Sequence, residues 1–318
     1  MGRYLLKRLA MTFLVVIVVM VFLSVLVHLV PGDPAKIILG PRATESLVAT
    51  VRDEMGLDNP VHVQVWDFVT GALQGDLGRD FLSRVPVSEL VLDALPHTIV
   101  LAVAAIGLAA LLGIPLGVYA ATKPNSLLDR VTAVVSVSLI TMPYYIAGLF
   151  LLLLFSLKWR VFPAVGAGSF SDPLDYLRHL ALPVAALALT WVGYIARLVR
   201  TSMLEVLGAN YIRTARAFGL RERVVFYKYA LKNAVIPTVA VVSVGLGELM
   251  GGAVFVEVIF SRPGLGRLAV EAIGTRNFPI LQGTVLVIAL AYVLTNLVAD
   301  LSYRFLDPRI RVEETPAA

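Results

Sequence analysis

The chain has 318 residues, of which 58% are hydrophobic and only 15% are charged, and its formal net charge is +5. A soluble domain of this length has to cover a large surface with polar groups, so this composition predicts a surface that faces lipid. Cysteine is absent and the four histidines show no ligand spacing, so we predict no disulfide and no metal site. The positive charge indicates a cytoplasmic membrane face rather than a nucleic-acid partner.

Long apolar runs predict six membrane-spanning helices, because about 20 apolar helical residues cross the hydrocarbon core of a bilayer. The predicted spans cover residues 9–30, 98–121, 131–157, 180–199, 234–260 and 281–303. The first run has a basic start like a signal peptide, but it is about twice as long as a signal core and ends in Pro31-Gly32-Asp33-Pro34 without a cleavage motif. We therefore interpret it as a retained helix and the fold class as an all-α membrane protein.

The distribution of lysine and arginine predicts that both termini are cytoplasmic. With the N-terminus inside, the cytoplasmic segments hold 16 of these residues and the opposite segments hold 11. Five of the 11 lie in the long segment 31–97, and long segments carry little weight in the positive-inside rule. That segment is acidic, and its length predicts an extracytoplasmic subdomain with short helices at 45–55 and 61–73.

The sequence lacks the motifs of an enzyme. It contains no GxxxxGK[ST] loop to hold phosphates, no HExxH and no GxSxG nucleophile elbow. Gly264-Leu265-Gly266 resembles part of a dinucleotide fingerprint, but no βαβ pattern surrounds it. We therefore predict no catalytic residue and no cofactor in this chain, and expect energy for any transport to enter through contact with another protein.

Residues 205–232 predict two short helices that protrude from the membrane, and we call this segment the elbow. Asn210 is expected to cap a helix that starts at Tyr211, and Gly219 to end that helix in a left-handed conformation. The residues that share its apolar face are Ile212, Ala215 and Phe218. One interpretation is a docking site whose small apolar face enters the groove of a cytoplasmic partner, and the alternative is a charged loop held by lipid headgroups.

The elbow resembles the cytoplasmic coupling loop of ABC-importer permeases, whose pattern is E-A-A-x3-G-x9-I-x-L-P. Aligned on Gly219, Ala215 and Leu231 match, whereas the Glu and the final Pro do not. In the dipeptide and oligopeptide branch the loop reads Y-[IV]-R-T-A-R-A-x-G, as in residues 211–219, and nearly the whole chain resembles the first of that branch's two permeases. Other matching landmarks are Pro31-Gly32-Asp33-Pro34, Gly56-Leu57-Asp58-Asn59-Pro60, Gly75-Asp76-Leu77-Gly78, Pro263-Gly264-Leu265-Gly266-Arg267 and Asp307-Pro308-Arg309-Ile310-Arg311.

This resemblance implies the type I permease fold of ABC importers in a prokaryotic inner membrane. A second homologous permease would complete the pore, two subunits would bind ATP and Mg²⁺, and an extracytoplasmic binding protein would deliver a peptide. The implied organisation is a first helix (1–30), the extracytoplasmic segment (31–97), a permease core (98–311) and a tail (312–318). The residues implied to dock an ATPase are Tyr211, Ile212, Arg213, Thr214, Ala215, Arg216, Ala217, Phe218, Gly219 and Leu220.

Polar and kinking residues inside the spans indicate a translocation path. Glu248 lies in the middle of the fifth span, where a carboxylate costs at least about 3 kcal/mol against lipid, so it should face a pore or bond to a helix. Pro143 is expected to kink the third span and shape the pore wall. The expected path residues are Glu248, Met142, Tyr144 and Tyr145, and the expected contacts with the binding protein are Asp58, Asp76 and Asp80.

The sequence leaves three alternatives open. The first is an importer of nickel complexes or glutathione, because those systems resemble the same branch. The second is a secondary transporter or channel without an ATPase, which would predict inverted repeats and coupling-ion carboxylates in the membrane, and neither is evident. The third is a membrane scaffold that transports nothing.

Overall fold

The structure, a computed structural model, describes residues 10–11, 13–22, 36, 43–54, 56, 59–169 and 171–306. These residues are mostly helical and contain no β-strand beyond an isolated bridge between Arg79 and Pro86, which confirms the all-α fold class. The chain forms two compact units, residues 1–98 with 263–293 and residues 99–262 with 294–318.

The described residues form the helices α1 to α12. In chain order they are α1 (Phe13–Phe22), α2 (Glu45–Glu54), α3 (Val61–Leu73), α4 (Val87–Thr122), α5 (Leu127–Thr141), α6 (Tyr144–Leu151, continued by the π-helix Leu152–Lys158), α7 (Pro173–Leu207), α8 (Asn210–Ala217), α9 (Glu222–Val224, the π-helix Val225–Ala230 and Leu231–Ala234), α10 (Ile236–Ile259), α11 (Leu265–Thr275) and α12 (Phe278–Leu306). The short helices predicted at 45–55 and 61–73 are confirmed as α2 and α3.

Within the described residues, four helices are long and apolar enough to cross a membrane, namely α4, α7, α10 and α12. The pair α5 and α6 makes a fifth crossing if it is counted as one span. Each of the five predicted spans between residues 98 and 303 therefore corresponds to one of these elements. The predicted span 9–30 lies partly outside the described residues, and its described part contains the shorter apolar helix α1.

The third predicted span is broken rather than continuous. The axes of α5 and α6 differ by 102° across Met142 and Pro143. Met142 adopts an extended conformation with ψ 117°, as a residue before proline tends to do, and α6 starts again after Pro143. Pro183 has a different outcome, because it lies inside α7 and the helix continues through it. The sequence therefore indicated the kink but not its size.

The first unit is built around the start of α4, which begins at Val87 rather than at residue 98. Its buried core consists of Val87, Val91, Ala94, Leu265, Ala272 and Ile280. Glu89, Asp93 and His97 interrupt the apolar run here, so hydropathy alone placed the helix start too late. The hydroxyl of Thr98 accepts a hydrogen bond from the backbone N–H of Leu265 at 2.9 Å, which satisfies one free donor at the start of α11.

The second unit is organised around α7. Two thirds of its most apolar stretch (67%) is buried, against 39% for α10 and 33% for α4, which makes α7 the central helix. Gly193 allows α5 to approach α7, because a Cβ atom there would lie 2.6 Å from the carbonyl oxygen of Ser136. Gly117 of α4 does the same beside Ala196, at 2.5 Å from its carbonyl oxygen.

Candidate functional site

The elbow has the sharp corner that its sequence predicts. Gly219 has a φ of +75°, and its N–H donates to the carbonyl of Arg216 at 2.9 Å, while the N–H of Leu220 donates to the carbonyl of Ala215 at 3.3 Å. This pair of bonds is a Schellman cap, so the predicted left-handed end of α8 is confirmed. The prediction that Asn210 caps the helix is wrong, because α8 already includes Asn210 and has no side-chain cap.

The small apolar face of α8 points into the elbow itself. Ile212 is 0% exposed and Ala215 is 6% exposed, and α8 packs against the π-helix of α9. Val225 and Ala230 of that π-helix are also fully buried. The expectation that Ile212 and Ala215 enter a partner's groove is therefore wrong, since a second helix of this chain already covers them.

The face of α8 that remains available is polar, with an aromatic ring at its end. Phe218 is 82% exposed and stands directly before the corner. The other exposed residues of the predicted docking segment are Tyr211, Arg213, Thr214, Arg216, Ala217, Gly219 and Leu220. Arg216 pairs with Glu222 of α9 at 3.0 Å, and Arg213 donates to the carbonyl of Gly208 at 3.3 Å. Both arginines, which belong to the predicted docking segment, therefore already have bonds within the elbow.

The second unit contains a cavity of about 720 Å³ at the break between α5 and α6. All four residues predicted for the translocation path line it, namely Met142, Tyr144, Tyr145 and Glu248. Residues of α7 and α10 complete the wall, and they are Thr190, Trp191, Tyr194, Val241, Val244 and Phe255. The structure thus brings together side chains that are more than one hundred positions apart in the sequence.

Glycines on α10 make room for the aromatic side chains of this wall. A Cβ atom on Gly245 would lie 2.3 Å from the ring of Trp191, and one on Gly252 would lie 2.9 Å from the ring of Tyr144. The hydroxyl of Thr190 donates to the carbonyl of Met142 at 3.2 Å and holds the α5–α6 break against α7. The glycines on either side of Glu248 in α10 therefore leave room for the aromatic rings of the cavity wall.

One face of α10 is not covered by any part of the chain that the structure describes. Its exposed residues are Val244, Glu248, Gly251, Phe255 and Val258, at alternating intervals of four and three. This is the spacing of a single helix stripe. The carboxylate of Glu248 makes no hydrogen bond or ion pair with any residue that the structure describes. The stripe could not be recognised in the sequence because nearly all residues of α10 are apolar on every face.

Sequence reasoning missed a partly buried ion pair between α5 and α7. Arg200 Nε lies 2.5 Å from Asp129 Oδ1, and Arg200 Nη2 lies 2.8 Å from Asp129 Oδ2. Asp129 also accepts from the N–H of Asn125, and its own N–H donates to the capping hydroxyl of Ser126. The signal was an acidic residue three positions after a serine in an otherwise basic connector, which fits a helix cap as well as an ion pair.

The three acidic residues predicted to contact a binding protein have different surroundings. Asp58 lies outside the described residues. Asp76 is exposed and accepts a hydrogen bond from the N–H of Gly78 at 2.8 Å. Asp80 is only 8% exposed and accepts from the N–H groups of Leu82 and Ser83, the hydroxyl of Ser83 and the amide of Asn277. Its carboxylate ties the loop before α4 to the residue before α12.

The bonds of Asp80 predict a pH-dependent loop. Burial raises the pKa of Asp80, but the donors from Ser83, Leu82 and Asn277 outweigh it and hold the pKa below its ordinary value of 3.8. The stabilisation is therefore complete above about pH 4 and is lost as the pH falls further. We expect Asp80→Asn to cost about 1–3 kcal/mol above that pH, measured as faster hydrogen exchange at the Leu82 and Ser83 amides.

Asp76→Asn is the matched control for this prediction, because Asp76 is exposed and, among the described residues, its carboxylate accepts only from the N–H of Gly78. It should leave the two amides protected. The difference in exchange between wild type and Asp80→Asn should shrink as the pH falls below about 4, and it should vanish once wild-type Asp80 is neutral, below its lowered pKa. An equal difference at pH 7 and pH 3 would contradict the assignment.

The chain is similar to known proteins over nearly its whole length. The model of the binding-protein-dependent transport system inner membrane component matches residues 113–312, and the model of the N-terminal part of such components matches residues 1–102. The chain belongs to this family. Its relatives include the probable peptide ABC transporter permease protein y4tP of Sinorhizobium fredii, 39% identical over 98% of this chain and 100% of that protein. The glutathione transport system permease protein GsiC of Salmonella choleraesuis is 39% identical over 98% of this chain and 99% of that protein.

Solved structures support the same fold for this inner membrane component. One is the MetNI methionine ABC transporter in an inward-facing conformation, with a TM-score of 0.57 and 18% identity over 69% of this chain and 96% of the matched chain. Another is an amino acid ABC transporter with histidines, with a TM-score of 0.55 and 17% identity over 71% of this chain and 99% of the matched chain. These similarities confirm the permease fold of ABC importers.

Proposed function

We propose that this chain is one of two permeases in an ATP-driven importer of peptides and forms half of its translocation path. The observation that carries the proposal is the cavity beside the uncovered stripe of α10, which gathers Met142, Tyr144, Tyr145 and Glu248 around one space. Because the cavity is open along the uncovered face of α10, another protein has to close it. A second homologous permease does so. The peptide permease among the relatives supports the substrate class.

The chain hydrolyses no ATP itself and needs no cofactor. Two partner subunits bind ATP and Mg²⁺, and one of them docks on residues 211–220 of the elbow. Phe218 makes the contact because it is the most exposed large apolar side chain of that segment. The buried side chains of Ile212 and Ala215 pack inside the elbow and keep α8 in position. Closure of the ATPases moves the elbow, and α7, which ends directly before α8, carries this motion to the cavity wall.

A binding protein delivers the peptide on the opposite side of the membrane, where residues 31–97 face it. Both termini are cytoplasmic in this arrangement, in agreement with the distribution of lysine and arginine. Asp58 and Asp76 are the acidic contacts that we favour, because the carboxylate of Asp80 is buried in bonds of its own. The path then alternates between the two sides of the membrane.

Glutathione is a second candidate substrate, and the 39% identity to a glutathione permease favours it specifically. Glutathione is itself a small peptide, so the two candidates share one chemistry. No feature of the structure favours nickel complexes. Membership of a binding-protein-dependent family argues against the ATPase-independent transporter that the sequence left open.

Purification of the whole assembly tests this function. We expect this chain to co-purify with a second permease, two ATPases and a binding protein, and mass spectrometry to find a peptide in the binding protein. In proteoliposomes, uptake of that peptide should require both ATP and the binding protein. Uptake that persists without ATP, or a binding protein that carries only a metal complex, would refute the proposal.

The same assembly tests the elbow. Phe218→Asp places a charge where the apolar contact is proposed, so we expect at least about tenfold weaker retention of the ATPases. Phe218→Leu keeps an apolar side chain and should retain them. Because Phe218 is 82% exposed in this chain, neither change should alter the permease fold. Equal ATPase retention by both variants would show that Phe218 does not dock.

A further inference from the structure

Aromatic rings share the cavity wall with Glu248. The aromatic residues that line the cavity are Tyr144, Tyr145, Trp191, Tyr194 and Phe255. Two pairs of these rings lie close together, Tyr145 with Phe255 at 6.0 Å and Trp191 with Tyr194 at 5.7 Å between centroids. Among the described residues of the wall, Glu248 is the only charged side chain. The site therefore combines one negative charge with several electron-rich faces.

This combination has the chemistry of a cation site. A cation over an aromatic face is attracted by the ring quadrupole, and a nearby carboxylate adds a charge-assisted hydrogen bond. Glu248 has no hydrogen bond or ion pair within the described residues, and no Lys or Arg lines the cavity. The carboxylate therefore lacks a positive partner among the residues that the structure describes.

The shape of α10 leaves the carboxylate accessible. Glu248 lies on the uncovered stripe, one turn from Val244 and next to Gly251, where an added Cβ atom would meet nothing within 4 Å. The cavity volume of about 720 Å³ lies within the usual range of small-ligand sites. A small ligand can therefore reach Glu248 from the open side of the helix.

We propose that Glu248 and the rings on the same wall bind the ammonium group of the transported peptide. This proposal rests on the proposed peptide-import function and adds the chemical group that the path recognises. A peptide offers an ammonium group at its amino terminus, and a lysine side chain offers the same chemistry. The path then selects for a positive charge after the binding protein has released its cargo.

Three peptides separate these sources: Ala-Ala, N-acetyl-Ala-Ala and N-acetyl-Ala-Lys. The first has a terminal ammonium group, the second has none and the third has one on its side chain. Uptake is measured with the whole assembly in proteoliposomes, and the same peptides are titrated against the assembly in nanodiscs without the binding protein. The titration gives a result even for a peptide that the binding protein refuses.

Glu248→Gln is expected to weaken binding and uptake of Ala-Ala about tenfold and to leave N-acetyl-Ala-Ala unchanged. An equal loss for N-acetyl-Ala-Lys means that any ammonium group is bound, and no loss means that the terminal one is required. Glu271→Gln, which removes a carboxylate that is 56% exposed on α11 and lies outside residues 31–97 and outside the cavity lining, is the control and should change no ratio between the three peptides.

An equal effect of Glu248→Gln on all three peptides, or no effect on Ala-Ala, would overturn the ammonium site. So would wild-type assembly that fails to bind Ala-Ala in the titration. The peptide-import function survives these results as long as ATP-driven uptake continues. If the wild-type assembly takes up no peptide with ATP and binding protein, the proposed function itself fails, so the two failures are distinguishable.

Discussion

Replacing Gly219 with valine is expected to uncouple ATP hydrolysis from transport while the permease still assembles in the membrane. Gly219 has a φ of +75°, and a β-branched residue in that region costs about 1–3 kcal/mol. An added Cβ atom would meet nothing within 4 Å, so the penalty is backbone strain and not a collision. The corner relaxes by giving up its Schellman bonds, which changes the angle at which Phe218 is presented. We expect peptide uptake per ATP to fall at least about tenfold.

Two variants control for this effect. Gly219→Asn should stay close to wild type, because asparagine tolerates the left-handed region. Gly208→Ala changes a glycine at the other end of α8, where φ is −80° and an alanine fits without strain. ATPase activity and uptake are measured in the same proteoliposomes. If valine and asparagine at position 219 give equal coupling, the left-handed corner does not transmit the motion.

The corner at Gly219 is an example of a feature that can be predicted from the sequence. A polar helix followed by glycine predicts a left-handed end from local sterics alone, and the structure has that end. The membrane spans between residues 98 and 303 are equally local, since each needs only a long apolar run. The sequence could also predict that one cavity is lined by Met142, Tyr144, Tyr145 and Glu248. A proline break and a carboxylate inside membrane spans both point to a cavity.

Features that depend on how helices pack against each other could not be predicted from the sequence. The spacing of Ile212 and Ala215 predicts an apolar face, but it does not say whether a partner or α9 covers that face. Hydropathy placed the start of α4 too late because Val91 and Ala94 face a protein core beside charged neighbours. Asp129 and Arg200 are 71 positions apart, and only the packing of α5 against α7 brings them together.

Removing the carboxylate of that ion pair is expected to have the largest effect on stability. Asp129 has only 4% of its side chain exposed, so Asp129→Ala removes a buried carboxylate and leaves the partly buried guanidinium of Arg200 without its partner. Loss of one member of a buried pair costs about 3–5 kcal/mol, and the 29% exposure of Arg200 argues for the lower part of that range. We expect the unfolding midpoint of the purified assembly to fall by about 5–10 °C.

The double variant Asp129→Leu with Arg200→Met separates the lost bond from the stranded charge. It fills the site with apolar groups of similar size, so most of the midpoint should return even though no ion pair is present. Arg200 lies on the helix that continues from the cavity residues Trp191 and Tyr194 to the elbow, and Asp129 starts the helix that ends at the α5–α6 break. We therefore expect the pair to couple movements of α7 to the α5–α6 break, and we expect Asp129→Ala to lose peptide uptake together with stability. A single variant as stable as wild type, or a double variant no more stable than the single one, would show that the pair does not hold α5 to α7.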